Sequence, residues 1–152
     1  GTLGKISYCI ELGADGGSLR QEKPFEDIKK WAPKGVDIIL DPVGGEYFED
    51  NLSVLTMEGR LILIGLMGGS KSQINLGLVL MKRQRIIGST IRARNSTIKG
   101  KVMNDLHEKV WPHFESKKII PIIHKMMDIK DANQAHSIME NNQNIGKIVL
   151  EV

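Results

Sequence analysis

The sequence has one cysteine, Cys9, so no internal disulfide can tie the fold together. No apolar run reaches the roughly 18 residues that would suggest a membrane span. Neither sign of charge dominates: 21 Lys and Arg against 18 Asp and Glu leave +3. So small and dispersed an excess does not mark a nucleic-acid binder, and any anion site must be local. G-x-G-x-x-G occurs nowhere, and neither does a Walker-type loop, so the usual seat of a pyrophosphate on a helix N-terminus is missing. His107, His113, His124 and His136 form neither H-E-x-x-H nor another closely spaced ligand set, and no metal site is expected. Without a G-x-S-x-G elbow, nothing marks a hydrolase nucleophile. The chain opens on Gly1 with no charged leader and apolar stretch, so the start reads as internal and no export signal is expected. A cytoplasmic, reducing setting fits that reading and the single thiol. In such a setting Asn51-Leu52-Ser53 and Asn95-Ser96-Thr97, which match the glycosylation pattern, are expected to be ordinary polar residues.

What is present is a folded, globular composition: 152 residues, 41% apolar and 26% charged. The pattern predicts helix over Leu3 to Leu12, stopped by Gly13, and a short amphipathic helix from Pro24 carrying Phe25, Ile28 and Trp31. Val36 to Leu40 is a β-branched run that predicts a parallel strand covered on both faces. After the break at Asp41 to Gly45 comes a helix through Tyr47, Phe48, Leu52 and Leu55, then a turn at Glu58-Gly59 and a second buried strand from Leu61 to Ile64. A right-handed crossover would bring loops Asp41 to Gly45 and Gly65 to Gly69 to one rim. Leu76 to Met81 is an apolar segment, followed by the basic turn Lys82 to Arg85 and a strand from Ile86 to Ile91. A long helix capped by Ser96 should bury Ile98, Val102, Leu106, Val110 and Phe114. Further expectations are a strand at Ile119 to Ile123, a helix capped by Asp128, and a last strand from Gly146. The methionines Met67, Met81, Met103, Met126, Met127 and Met139 read as core filler.

Two features carry chemistry. The pairs Gly44-Gly45 and Gly68-Gly69 follow strands, where bare backbone admits a flat ring or a phosphate, although tight turns use glycine equally well. Lys5, in the first turn of the opening helix, can hold a phosphate together with the helix amides, or it can be an ordinary solvated lysine.

Gly35-Val36-Asp37-Ile38-Ile39-Leu40-Asp41-Pro42-Val43-Gly44-Gly45 closely resembles the nucleotide-binding half of the quinone oxidoreductases, within the medium-chain dehydrogenase/reductase superfamily. The resemblance continues in family order through Gly59 to Gly65, Gly88 to Arg94, Val110-Trp111-Pro112 and Gly146 to Leu150. Ser89-Thr90-Ile91-Arg92-Ala93-Arg94 points to the zinc-independent, zeta-crystallin-like members and their tumour-suppressor-inducible branch. The resemblance implies an α/β fold: a Rossmann-type parallel sheet with flanking helices, lacking its first strands, with residues 1–118 a partial NADPH-binding domain. Residues 119–152 would return to a catalytic domain outside this chain. It implies hydride transfer from NADPH to a quinone or conjugated carbonyl in an intact, cytoplasmic enzyme, with these 152 residues inactive alone. Carried onto this sequence, Thr2 and Lys5 select the 2′-phosphate; Arg20 stands near the adenine, where the family has tyrosine or histidine. Gly45, Gly65, Leu66, Met67 and Gly68 line the cofactor, and Ser89, Thr90 and Ile91 flank the nicotinamide end. The Ile86 to Ile91 strand would pair across a homodimer. Two alternatives stand beside this: a 2-enoyl reductase of the same superfamily, and a non-catalytic RNA-binding module using Lys82, Arg83, Arg85, Arg92 and Arg94.

Overall fold

The computed structural model describes residues 1–22 and 24–152. They form two compact units, Gly1–Ala93 and Arg94–Val152.

The first unit begins with helix α1 (Leu3–Glu11), whose N-cap is Thr2, and helix α2 (Pro24–Trp31). Gly13, at φ 103°, ends α1 where the left-handed stop is expected. Strand β1 (Val36–Asp41) leads through a single 3-10 turn into helix α3 (Phe48–Val54), then strand β2 (Leu55–Leu63). Helix α4 (Leu76–Lys82), capped by Asn75, precedes strand β3 (Arg85–Gly88). The three strands run parallel in the order β1-β2-β3, so β1 and β3 are both edges. This is the α/β arrangement expected.

Three expectations for this unit needed correction. The signal at Glu58-Gly59 is a bulge inside β2: Val36 pairs with Leu55 but Ile38 pairs with Arg60, and Glu58 takes φ 62°. The Thr56 hydroxyl donates to Asp37 at 2.7 Å and closes the bulge. Second, β1 is covered on one face only. Leu52, Leu55 and Leu61 form a fully buried nucleus, with Ile39, Phe48, Leu63, Leu78 and Val79 packed against it. On the opposite face Ile38 and Leu40 are 52% and 62% exposed, because α3 and α4 both pack on the first face. Third, β3 stops at Gly88, short of Ile91.

The second unit opens with helix α5 (Ser96–Lys109), capped by the Asn95 side chain, which accepts from the Ile98 amide at 2.9 Å. The cap is thus one residue earlier than expected. Pro112 has no N–H to continue the helix, and the chain restarts at Val110 as helix α6 (Trp111–Glu115). The stripe expected to be buried is covered only in part: Ile98 and Val102 are exposed, while Leu106, Val110 and Phe114 are half-buried. Strand β4 (Ile123–Asp128) begins beyond Pro121, which cannot donate to a ladder, so the strand expected at Ile119 starts later. Asp128 accepts from the Lys130 amide and starts a turn into helix α7 (Ala132–Glu140), which crosses to strand β5 (Lys147–Glu151), parallel to β4. Met127 and Ala135 are its buried apolar residues. Of the six methionines read as core, Met127 alone is buried; Met67, Met81, Met103, Met126 and Met139 face outward. No helix among the described residues is long and apolar enough to cross a membrane.

Candidate functional site

All three strands of the first sheet run the same way, so their C-terminal ends open on one edge. Asp41 organises that edge. Its carboxylate is buried and accepts from the amides of Val43 (2.7 Å) and Gly44 (3.1 Å) and from Asn51 Nδ2 (3.0 Å). The turn it makes aims the chain toward the loop after β2, and backbone bonds join the two loops. Gly68 N–H donates to the Val43 carbonyl (2.7 Å), Gly45 N–H to Gly69 (2.9 Å), Glu46 N–H to Gly68 (3.1 Å) and Met67 N–H to Pro42 (3.2 Å). The expected shared rim is therefore present, and it is stitched together.

Joining the loops explains the glycines. A Cβ at Gly45 would stand 2.5 Å from the Lys71 carbonyl oxygen, one at Gly65 2.7 Å from that of Pro42, and one at Gly68 2.6 Å from Val43 Cγ1. In the direction of a side chain these residues meet protein, so close packing of two loops is their first physical cause. Gly88 at the end of β3 meets nothing within 4 Å.

Between the ends of β2 and β3 lies an open cavity of about 470 Å³ lined by Leu63, Ile64, Gly65, Leu66, Gly88, Ser89 and Thr90. Ser89 is fixed there by its N–H bond to the Leu63 carbonyl at 2.9 Å. Gly65, Leu66, Ser89 and Thr90 are thus brought together, and Gly45 and Gly68 stand on the adjoining loop pair. Met67 is highly exposed, and Ile91 lies exposed beyond the end of β3. Arg20 joins the same rim from the α1–α2 connection: Nη2 lies 3.2 Å from Glu46 Oε2, and its guanidinium carbon is 5.8 Å from the Tyr47 ring centre. Thr2 and Lys5 line neither this cavity nor its neighbour beside Gly45. They meet each other at the head of α1, where Thr2 Oγ1 accepts from the Lys5 amide at 3.3 Å. The connection carrying Arg20 is fastened to α2 through Asp27, which accepts from Ser18 (2.6 Å) and Lys30 (2.7 Å). The bond from Lys30, then that from Ser18, holds the Asp27 carboxyl below the usual carboxylate range.

Sequence reasoning passed over four residues, Asp41 and Asn51 at this edge and Lys82 and Gln84 at the opposite end of the sheet, where α3 leads into β2. Asp41 and Asn51 had a usable signal, since an Asp ahead of Pro-Val-Gly is an Asx-turn former. Asn51, buried and bonded to Asp41, is unavailable for glycosylation in this fold. Lys82 and Gln84 had none. In the structure Lys82 Nζ donates to the carbonyls of Ser53 (3.0 Å) and Leu55 (2.8 Å), and Gln84 Nε2 to that of Leu52 (2.7 Å), closing the C-terminal end of α3. With Lys82 turned inward and Arg83 paired to Glu58 at 3.2 Å, two of the five cations of an RNA-binding surface are committed elsewhere.

Comparison with known proteins follows the same line. Residues 12–150 match a family profile described as zinc-binding dehydrogenase. The chain is 24% identical over 121 residues to quinone oxidoreductase-like protein 2 of Bos taurus, covering 78% of this chain and 34% of that protein. It is 24% identical over 126 residues to acryloyl-coenzyme A reductase of Metallosphaera sedula, covering 82% and 34%. Among solved structures, CurA of Vibrio vulnificus in complex with NADPH superposes with a TM-score of 0.75 at 21% identity, covering all of this chain and 48% of that one. The chain thus spans less than half the length of each of these proteins. The profile's description implies zinc, yet among the described residues no three His, Cys, Asp or Glu side chains gather closely enough to hold a metal ion. These residues do not fit that role.

Proposed function

Because the chain belongs to the zinc-binding dehydrogenase family, within the medium-chain dehydrogenase/reductase superfamily, we propose that it is the nucleotide-binding part of a zinc-independent NADPH:quinone oxidoreductase. We place it nearest the tumour-suppressor-inducible branch, on Ser89 to Arg94. The observation that carries the reading is the stitched rim of parallel strand ends beside an open cavity formed by Gly65, Leu66, Gly88, Ser89 and Thr90.

When bound, the reduced nicotinamide would supply a hydride to a conjugated acceptor, which takes up a proton as well. The residues here bind and orient. Thr2 Oγ1 already accepts from a backbone amide, which leaves its O–H to donate to a phosphate oxygen, while Lys5 adds a cation on the positive end of α1. Arg20, over Tyr47, would meet the adenosine end. Gly45 and the Gly65 to Gly68 loop would line the cofactor, and Ser89, Thr90 and Ile91 its nicotinamide end. The apolar face carrying Ile38 and Leu40 and the open edge of β1 would be covered by strands of the intact enzyme lying outside these residues. Residues 119–152 would return to its catalytic domain, and β3, the other edge, would pair across a homodimer. Its setting would be cytoplasmic.

In the intact enzyme, Lys5→Ala should raise KM for NADPH at least tenfold more than KM for NADH; equal changes would refute the assignment. The same preparation distinguishes the second reading, a 2-enoyl reductase, which the likeness to acryloyl-coenzyme A reductase favours: faster turnover of enones than of quinones would establish it.

A further inference from the structure

A second cavity, of about 260 Å³, lies beside the rim and shares the walls Leu63 and Leu66 with the one described above. Phe48 and Ile74 complete an apolar interior. Its edge is different in kind. Ser70, Lys71 and Ser72 form it, Lys71 is the one charged residue lining the cavity, and no carboxylate lines it. Among the described residues Lys71 makes no ion pair. The amides of Ser70, Lys71 and Ser72 donate to no protein acceptor, and the Ser70 hydroxyl is likewise uncommitted. The segment is held in place from behind, since its Lys71 carbonyl closes on the bare Cα of Gly45. An apolar chamber is thus edged by three backbone amides, the Ser70 hydroxyl and one cation, while the Ser72 hydroxyl donates to the Gln73 carbonyl at 3.2 Å; the uncommitted donors share one ligand chemistry.

We propose that this cavity binds a small carboxylate with a flat or branched apolar body, the body between Phe48, Leu66 and Ile74 and the carboxylate at Ser70 to Ser72. The volume equals roughly nine waters at about 30 Å³ each, which suits an aryl carboxylate and is too small to enclose a dinucleotide whole. Leu66 divides this chamber from the cavity at β2 and β3, so the bound acid also sets one wall of that cavity. The inference stands independently of the nicotinamide reading, since it uses none of that cavity's polar groups.

The test is a titration of the ¹⁵N-labelled chain with 2-naphthoate, followed by amide shifts, with 2-naphthalenemethanol, inorganic phosphate and NADPH as separate arms. Saturable shifts at Gly45, Leu66 and Ser70 to Ser72 are expected with naphthoate, at an affinity in the millimolar range for a ligand of this size. The alcohol and phosphate should each bind at least fivefold more weakly. Lys71→Glu should weaken naphthoate about fivefold, and Ile74→Trp, which fills a half-open chamber, should abolish its binding while other amides keep their positions. Equal binding by the alcohol, equal binding by phosphate, or unchanged binding in both variants would overturn the proposal. So would NADPH moving Ser70 to Ser72 as naphthoate does, because the cavity would then belong to the nucleotide.

Discussion

Removing the Asp41 carboxylate should do more damage than any other single polar change in the first unit. The side chain is 3% exposed and holds three donors: the amides of Val43 and Gly44 and the Asn51 carboxamide. A hydrogen bond to an ionised acceptor contributes about 1.5–3 kcal/mol, and a buried donor left without a partner costs about 1–3 kcal/mol. Three such bonds, less the cost of keeping a charge out of water, predict a loss of about 3–5 kcal/mol for Asp41→Ala. That is a large part of the roughly 5–15 kcal/mol that holds a domain of this size together. Asp41→Asn should cost only about 1–2 kcal/mol, because its carbonyl can still serve Val43 and Gly44 while Asn51 reverses its amide to meet the new NH₂ group. Urea denaturation followed by circular dichroism measures both, with amide spectra reporting whether Gly44, Gly45 and Gly68 lose their positions. A loss below about 0.5 kcal/mol for the alanine variant, or equal losses for the two, would refute the claim that this carboxylate builds the rim.

Three further outcomes follow from the same geometry. Gly45→Ala brings a Cβ to 2.5 Å from a backbone carbonyl and should destabilise by about 1–3 kcal/mol, whereas Gly88→Ala, with open space around it, should stay within about 0.5 kcal/mol; equal denaturation midpoints would contradict this. Lys117 adopts φ 57° after α6, a conformation that glycine takes without strain, so Lys117→Gly should stabilise the second unit by about 0.5–1 kcal/mol in thermal melts. Asp27 is held below its ordinary value of 3.8, so its contribution is present above 3.8 and is lost as pH falls through the lowered folded value. Acid titration of Asp27→Asn, compared with the parent chain, should show that this component of acid destabilisation is gone.

The fold was readable where local chemistry and tertiary packing agree. The stop at Gly13 and the break at Asp41 to Gly45 act within a few residues, and β-branched runs mark β1 and the second half of β2. It was less readable wherever burial depended on what covers a face. Ile38, Leu40, Val102 and five methionines have the character of core residues and stand exposed, since apolar pattern reports a need for cover without saying what supplies it. The Glu58-Gly59 bulge looked like a turn because both need a residue at positive φ, and strand register decides between them. At the site, the glycines could be found by motif, but the reason for them could not: it lies in distances between two loops some twenty residues apart in sequence. The roles of Lys82 and Gln84 as closers of α3 were hidden for the same reason.

The most direct measurement of the central claim is an amide-shift titration of this chain with NADPH at millimolar concentration. The account predicts saturable shifts at Gly65, Leu66, Gly88, Ser89 and Thr90, with no oxidation of NADPH when a quinone is added to these 152 residues alone. Shifts confined to residues beyond Arg94, or steady NADPH oxidation by the purified chain, would contradict it.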